Sequence, residues 1–197
     1  MFSFGRGKKR AEMKLYYAKP NIKTQEKDIE ELVYKIKEIF QGHASKDIII
    51  LCIGSDLSIG DSLGPLVGMM LKEHQVPYHV YGTLEEPVHA QNLKSVLKNI
   101  HKQFAEPFIF SIDASLGDKS KIGYVSLEKG PIYPGTALKK LLPGVGEYHM
   151  KAVVNYVDPS APTRFFKETR LYTVMYLATF IATSIAQAAG RENHAPK

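Results

Sequence analysis

Two aspartates hold the chemistry that can be read from this chain. Asp61 sits in Gly54-Ser55-Asp56-Leu57-Ser58-Ile59-Gly60-Asp61-Ser62-Leu63-Gly64-Pro65, and Asp113 in Phe108-Ile109-Phe110-Ser111-Ile112-Asp113-Ala114-Ser115. Each follows a run of apolar, largely β-branched residues, which predicts a strand with the aspartate at its carboxyl end. Two carboxylates brought together cannot both ionise freely, so such a pair shares a proton or takes up a cation. A shared proton supplies a base to activate water and an acid to protonate a leaving amine, the requirement for cutting a peptide bond. Taken alone, Asp61 suits equally the N-cap of a following helix, where a carboxylate accepts backbone N–H bonds and favours the helix dipole.

The elements between the aspartates must bring them together. A strand over residues 47–53 leads through the Asp61 loop into a helix over 62–74. Pro77 precedes a short strand at 78–81, a helix follows from Pro87 to about residue 104, and Pro107 precedes the strand that ends at Asp113. This is a βαβαβ unit, whose connections are right-handed and whose strands are parallel. In the common doubly wound order strands one and three are neighbours, and ligand crevices open beside them. Asp61 and Asp113 are therefore expected across one cleft. Outside this unit the pattern predicts a helix at 24–41, with Ile29, Leu32, Val33, Ile36, Ile39 and Phe40 on one face, a strand at 122–127, a short helix at 137–142, a strand at 150–156 and a C-terminal helix at 171–189. The alternation implies an α/β fold, a three-layer α/β/α sandwich with a mostly parallel sheet.

With 197 residues and 44% hydrophobic content, one core is expected. The division predicted is a basic arm over residues 1–22, a single domain over 23–190 and a tail over 191–197. Of the net charge of +6, residues 1–22 hold +5. The basic character thus belongs to the arm, and nucleic acid is not expected as a partner. Cys52 is the only cysteine and lies in an apolar strand, so it reads as a small hydrophobe in a reducing cytoplasm. The N-terminus lacks the apolar stretch of a secretory signal. Residues 171–189 carry no charge and reach the length of a bilayer span. Tyr172, Tyr176, Thr179, Thr183 and Gln187 nevertheless form a polar stripe opposite Val174, Leu177, Phe180, Ile181 and Ile185, which predicts a helix laid on a sheet and no membrane partner.

Glycines at 54, 60 and 64 permit tight turns and close backbone approach, but their spacing matches neither the dinucleotide fingerprint nor a P-loop. No nucleotide or other cofactor is expected. Paired-histidine and HExxH spacings are absent from the sequence, so no metal is assigned, and His149 would enter a site only if a later loop folded back. Glu85 and Glu86 suit a basic peptide or a solvated turn, and His89, after Pro87, suits either a substrate contact or a hydrogen bond to a neighbouring loop. Asp56 and Gly60 in the first loop, with Glu85 and His89 in the second, are the residues expected to meet a substrate.

The stretch 54–65, the segment Gly82-Thr83-Leu84-Glu85-Glu86-Pro87-Val88-His89-Ala90, and Ile112-Asp113-Ala114-Ser115-Leu116 followed by Lys121-Ile122-Gly123 and Ile132-Tyr133-Pro134-Gly135 resemble the YyaC-type sporulation proteins. That group is similar in turn to the germination protease that degrades small acid-soluble spore proteins, and more distantly to hydrogenase maturation proteases. The resemblance spans residues 47 to 187. It implies a phosphorylase/hydrolase-like sandwich and a peptidase of a sporulating cell or spore, acting in the cytoplasm on a protein or peptide such as a spore protein. The pattern Asp61, Leu63, Gly64, Pro65 matches the first aspartate motif of the germination protease, and Asp113 in its Ile-Asp-Ala context matches the second. In the hydrogenase maturation proteases the acidic positions help bind a metal with a histidine from a later segment, whereas residues 135–142 of this chain contain none. A metal-free pair with Asp61 and Asp113 as acid and base is the reading implied. The alternatives are a peptide- or partner-binding protein on the same fold and a metal-dependent peptidase. Self-association is a fair prior.

Overall fold

Ile48–Cys52 is apolar at every position and every residue is buried, the mark of a parallel strand covered on both faces. The computed structural model describes residues 13–20, 25–134, 143–156 and 168–191. Its strands are β1 (Met13–Ala18), β2 (Ile48–Cys52), β3 (His79–Tyr81), β4 (Phe108–Gly117), β5 (Val125–Lys129) and β6 (Tyr148–Tyr156). Its helices are α1 (Gln25–Gln41), α2 (Leu63–Glu73), α3 (Leu93–Gln103) and α4 (Leu171–Ala188). The strands form one sheet in the order β1-β5-β6-β4-β2-β3. The stretch β3-β2-β4-β6 is parallel, and β5 and β1 continue it in antiparallel pairings.

Helices cover both sides of this sheet, as expected of the α/β/α sandwich. On one side Ile50, Cys52, Phe110, Ile112, Met150 and Ala152 join Leu32, Ile36, Leu63, Leu71, Leu177 and Ile181 from α1, α2 and α4. On the other, Ile49, Leu51, Ile53 and Ile109 pack against Leu93, Ile100 and Phe104 of the α3 region and against Ile132 and Val145. Helix α4 is apolar and long enough to cross a membrane, but Val174, Leu177, Phe180, Ile181 and Ile185 are fully buried, and the helix packs on α1 and α2. The expected stripe of Tyr172, Tyr176, Thr179, Thr183 and Gln187 falls on its exposed or half-buried side.

Several expectations need correction. Met13–Ala18, inside the segment read as an arm, is a strand: β1 pairs antiparallel with β5, and Tyr16 is buried. Its one lysine, Lys14, suits an edge strand, whose open side such a charge protects from further pairing. Helix α3 starts at Leu93 rather than beside Pro87, because residues 87–92 form a turn held by the Asn92 side chain. Asn92 Oδ1 accepts the His89 amide at 2.8 Å and its Nδ2 donates to the Pro87 carbonyl at 2.9 Å. Strand β5 lies at Val125–Lys129, shifted from the expected 122–127, because Lys119–Lys121 forms a 3-10 turn first. Strand β4 does not end at Asp113 but continues to Gly117, because β6 goes on pairing with it as far as Tyr156. The short helix expected at 137–142 lies outside the described residues.

Candidate active site

Strands β2 and β4 are parallel neighbours, as the crossover argument requires. Their pairing stops at Cys52 with Ile112, and the Ile53 amide then donates to the Ile112 carbonyl at 2.7 Å. Asp113 is thus the first β4 residue beyond the end of β2. It is level with the loop that carries Asp61, although its own strand continues. By the alternation of side chains it stands on the α3 face, with Leu51 and Ser111.

The Asp61 loop folds back on itself. Ile59–Asp61 is a 3-10 turn, and the Ser55 amide donates to the Asp61 carbonyl at 3.0 Å. Gly54 has φ +145°, and a Cβ there would run into that same carbonyl. A Cβ on Gly64 would meet the Ile53 carbonyl. The loop and the first turn of α2 therefore lie against the end of β2 at a distance only glycine permits. The N-cap of α2 is Ser62, whose hydroxyl donates to the Ile59 carbonyl at 2.8 Å. Asp61 is not the N-cap, so its carboxyl is left for other work.

That carboxyl is half-buried. Burial holds its pKa above the usual carboxylate range, while the Ser55 amide and the nearby His89 draw it back down. Asp113 keeps some accessible surface, yet its surroundings are dense enough that desolvation pushes its pKa well above that range. The negative charge of Asp61 adds to the rise, and the Ala114 amide and Lys151 oppose it. In a parallel strand alternate residues direct both backbone groups to alternate sides. With the Ile112 carbonyl bound to β2, the Ala114 amide points to the side that β2 has left, beside the Asp113 carboxyl. The two aspartates sense one another, and Asp113 is the member that burial and its partner's charge favour in the protonated form.

The substrate-contact residues expected from the sequence lie in different places. His89 lies close enough to Asp61 to act on its charge. Its Nδ1 accepts the Gln91 amide at 3.2 Å. Gly60 is buried in the 3-10 turn and presents no side chain, and Asp56 is exposed at the tip of the loop. Glu85 and Glu86 are exposed, with the turn tied by Thr83. A shallow groove of about 410 Å³ runs past Tyr81, Gly82, Glu86, Pro87, His89 and Asn92. Neither aspartate lines it; His89 is the residue shared between the groove and the Asp61 surroundings.

His149 does not fold back toward the aspartates. It is fully buried on β6, its Nδ1 donates to the Gly130 carbonyl at 2.8 Å, and its Nε2 faces Glu128 Oε2 at 3.5 Å. Among the described residues no group of three His, Cys, Asp or Glu side chains is placed to hold a metal ion. Lys151 and Glu128 escaped the sequence reading. The alternation of β5 leaves Glu128, with Ser126, to the face of Asp113 opposite buried Val125 and Leu127, and the register of β6 with β5 and β4 sets Lys151 on that face too.

The fold and this placement define an α/β/α protein with two interacting carboxyls beyond the end of β2, one on the loop that follows it and one on the neighbouring strand β4. The chain is similar in structure to the [NiFe] hydrogenase maturation protease HycI from Thermococcus kodakarensis KOD1, with a TM-score of 0.55 and 17% identity over 80% of this chain and 99% of that one. At that identity the likeness is one of fold. The chain belongs to the DUF1256 family, described as a protein of unknown function, which it matches over residues 19–184. It is 44% identical over 144 residues to the Uncharacterized protein YyaC of Bacillus subtilis (strain 168), covering 73% of this chain and 70% of that protein.

Proposed function

We propose that this protein is a peptidase of a sporulating cell or spore, which hydrolyses a peptide bond with Asp61 and Asp113 acting on water. The observation that carries the reading is the asymmetry of the pair. Burial and the charge of Asp61 push the Asp113 pKa well above the usual carboxylate range, whereas burial raises that of Asp61 and the Ser55 amide and His89 oppose the rise. In this arrangement Asp61 takes a proton from the attacking water as the oxygen bonds to the scissile carbonyl carbon. Asp113 gives its proton to the amine as the C–N bond breaks. The groove past His89 and Glu86 suits an extended peptide, and Glu86 in its lining, with the exposed Glu85 next to it in the chain, favours a basic one. No step needs a metal.

Purified full-length protein, incubated with a spore-protein extract and read by mass spectrometry, tests this directly. Cleavage that Asp61→Asn and Asp113→Asn both abolish, and that a chelator spares, is the expected result. Sensitivity to the chelator would transfer the chemistry to a metal. Failure of wild type to cut, under conditions where a related protease does, would leave a peptide-binding protein on the same fold.

A further inference from the structure

Beside the aspartate pair runs a row of charge that the water-activating chemistry leaves unused. Lys151 of β6 is in register with Asp113 of β4 on one side and Ser126 of β5 on the other, so the three side chains share the α3 face. Its Nζ lies 3.7 Å from Glu128 Oε2, and that oxygen is also 3.5 Å from His149 Nε2. The Glu128 side chain is 6% exposed and that of His149 not at all, whereas Lys151 keeps 25%. A carboxylate so far from water is costly unless a cation answers it. Glu128 therefore anchors the lysine, and strand register sets the anchored lysine beside Asp113.

We propose that Lys151 is a positioning residue of the aspartate pair: held by Glu128, its ammonium limits how tightly Asp113 keeps its proton. The proposal rests on the aspartate-pair reading above and adds to it the group that makes the proton transferable. Among the described residues, the charged groups that act on Asp113 are Asp61 from the loop after β2 and Lys151 from β6, with Glu128 and His149 behind the lysine and His89 beside Asp61. Burial and the charge of Asp61 raise the Asp113 pKa, and the Ala114 amide and Lys151 oppose them, Lys151 being the side chain that does so. An acid held without that opposition would keep its proton when the amine leaves.

The test needs no substrate. In full-length protein with carbon-13 in the aspartate carboxyls, the Asp113 signal is followed through a pH titration in wild type, Lys151→Met, Lys151→Gln and Lys151→Arg. Lys151→Met should move the Asp113 midpoint upward by about 1 pH unit or more, the scale on which a neighbouring cation acts. Lys151→Gln, which keeps a polar side chain and removes the charge, should move it the same way and carries the test if Lys151→Met fails to fold. Lys151→Arg should restore it, a recovery with charge that a merely structural role would not give. An Asp113 midpoint indifferent to loss of the Lys151 charge, or one that Lys151→Arg does not restore, overturns the proposal even if wild type cuts peptides. The predicted shifts in a protein that cuts nothing would keep the proposal and remove the peptidase reading.

Discussion

The two faces of the sheet are built from the same strands but differ in what they contain. Under α1, α2 and α4 the face is apolar from β2 across to β5, with Ile50, Phe110, Met150 and Leu127 all fully buried. Under α3 it is apolar only near β2, then turns to Ser111, Asp113, Lys151, His149, Glu128 and Ser126. Alternation of side chains makes this possible, since each strand serves one face with odd positions and the other with even ones. The contrast separates two tasks: one face holds the chain together, and the other spends stability on charged groups kept away from water. Stability and chemistry should therefore respond to substitution on opposite faces.

The largest test of that separation lies in the pair itself. Asp61→Asn and Asp113→Asn should each reduce peptide cleavage by about 10²-fold or more, with the folded circular-dichroism spectrum retained; loss of fold instead would place Asp113 among the structural residues. On the other face, Phe110→Ala or Leu177→Ala should cost about 3–5 kcal/mol in urea unfolding without moving the carboxyl titration of the pair. Gly64→Ala lies at the seam. Its Cβ meets the Ile53 carbonyl, so about 1–3 kcal/mol should be lost, and cleavage should fall as well because the Asp61 loop must shift.

A pH experiment sharpens the contrast further. Asp113 has its pKa raised on folding, so between the ordinary carboxylate value and the raised one the folded chain binds more protons than the unfolded one. Stability then falls as pH rises through that window. Asp113→Asn should raise the melting temperature at neutral pH, and the gain should vanish below the ordinary carboxylate range. A variant that melts earlier at neutral pH would contradict this. The smallest effect is expected at the rim, where Glu85→Gln should leave stability within about 0.5 kcal/mol and, in stopped-flow binding, slow association of a basic peptide at low salt.

Much of the apolar face was legible in the sequence. The stripe of α4, the buried run of β2 and the adjacency of β2 and β4 follow from periodicity and from the handedness of crossovers, which are local or near-local rules. The aspartate pair was legible for the same reason, since each carboxyl follows an apolar run. Strand β1 was hidden because only Tyr16 of its six residues is buried, and a basic segment with one inward side chain looks like a solvated one. The extension of β4 was hidden because it depends on β6, a partner far away in sequence. Lys151 and Glu128 were hidden, and His149, expected at the site only if a later loop folded back, was not foreseen beside them. Each is ordinary in its own strand, and only the register between strands sets them in one row.

The shortness of β2 beside β4 also has a consequence in time. Amides between paired strands exchange with solvent only when the sheet opens, whereas the Ala114 amide, on the side β2 has left, is retained by the carboxyl of Asp113. Its exchange should slow when that carboxyl is ionised and quicken when it takes up a proton, after allowance for the intrinsic pH dependence of exchange. One backbone hydrogen thus serves as a clock on the charge of the site.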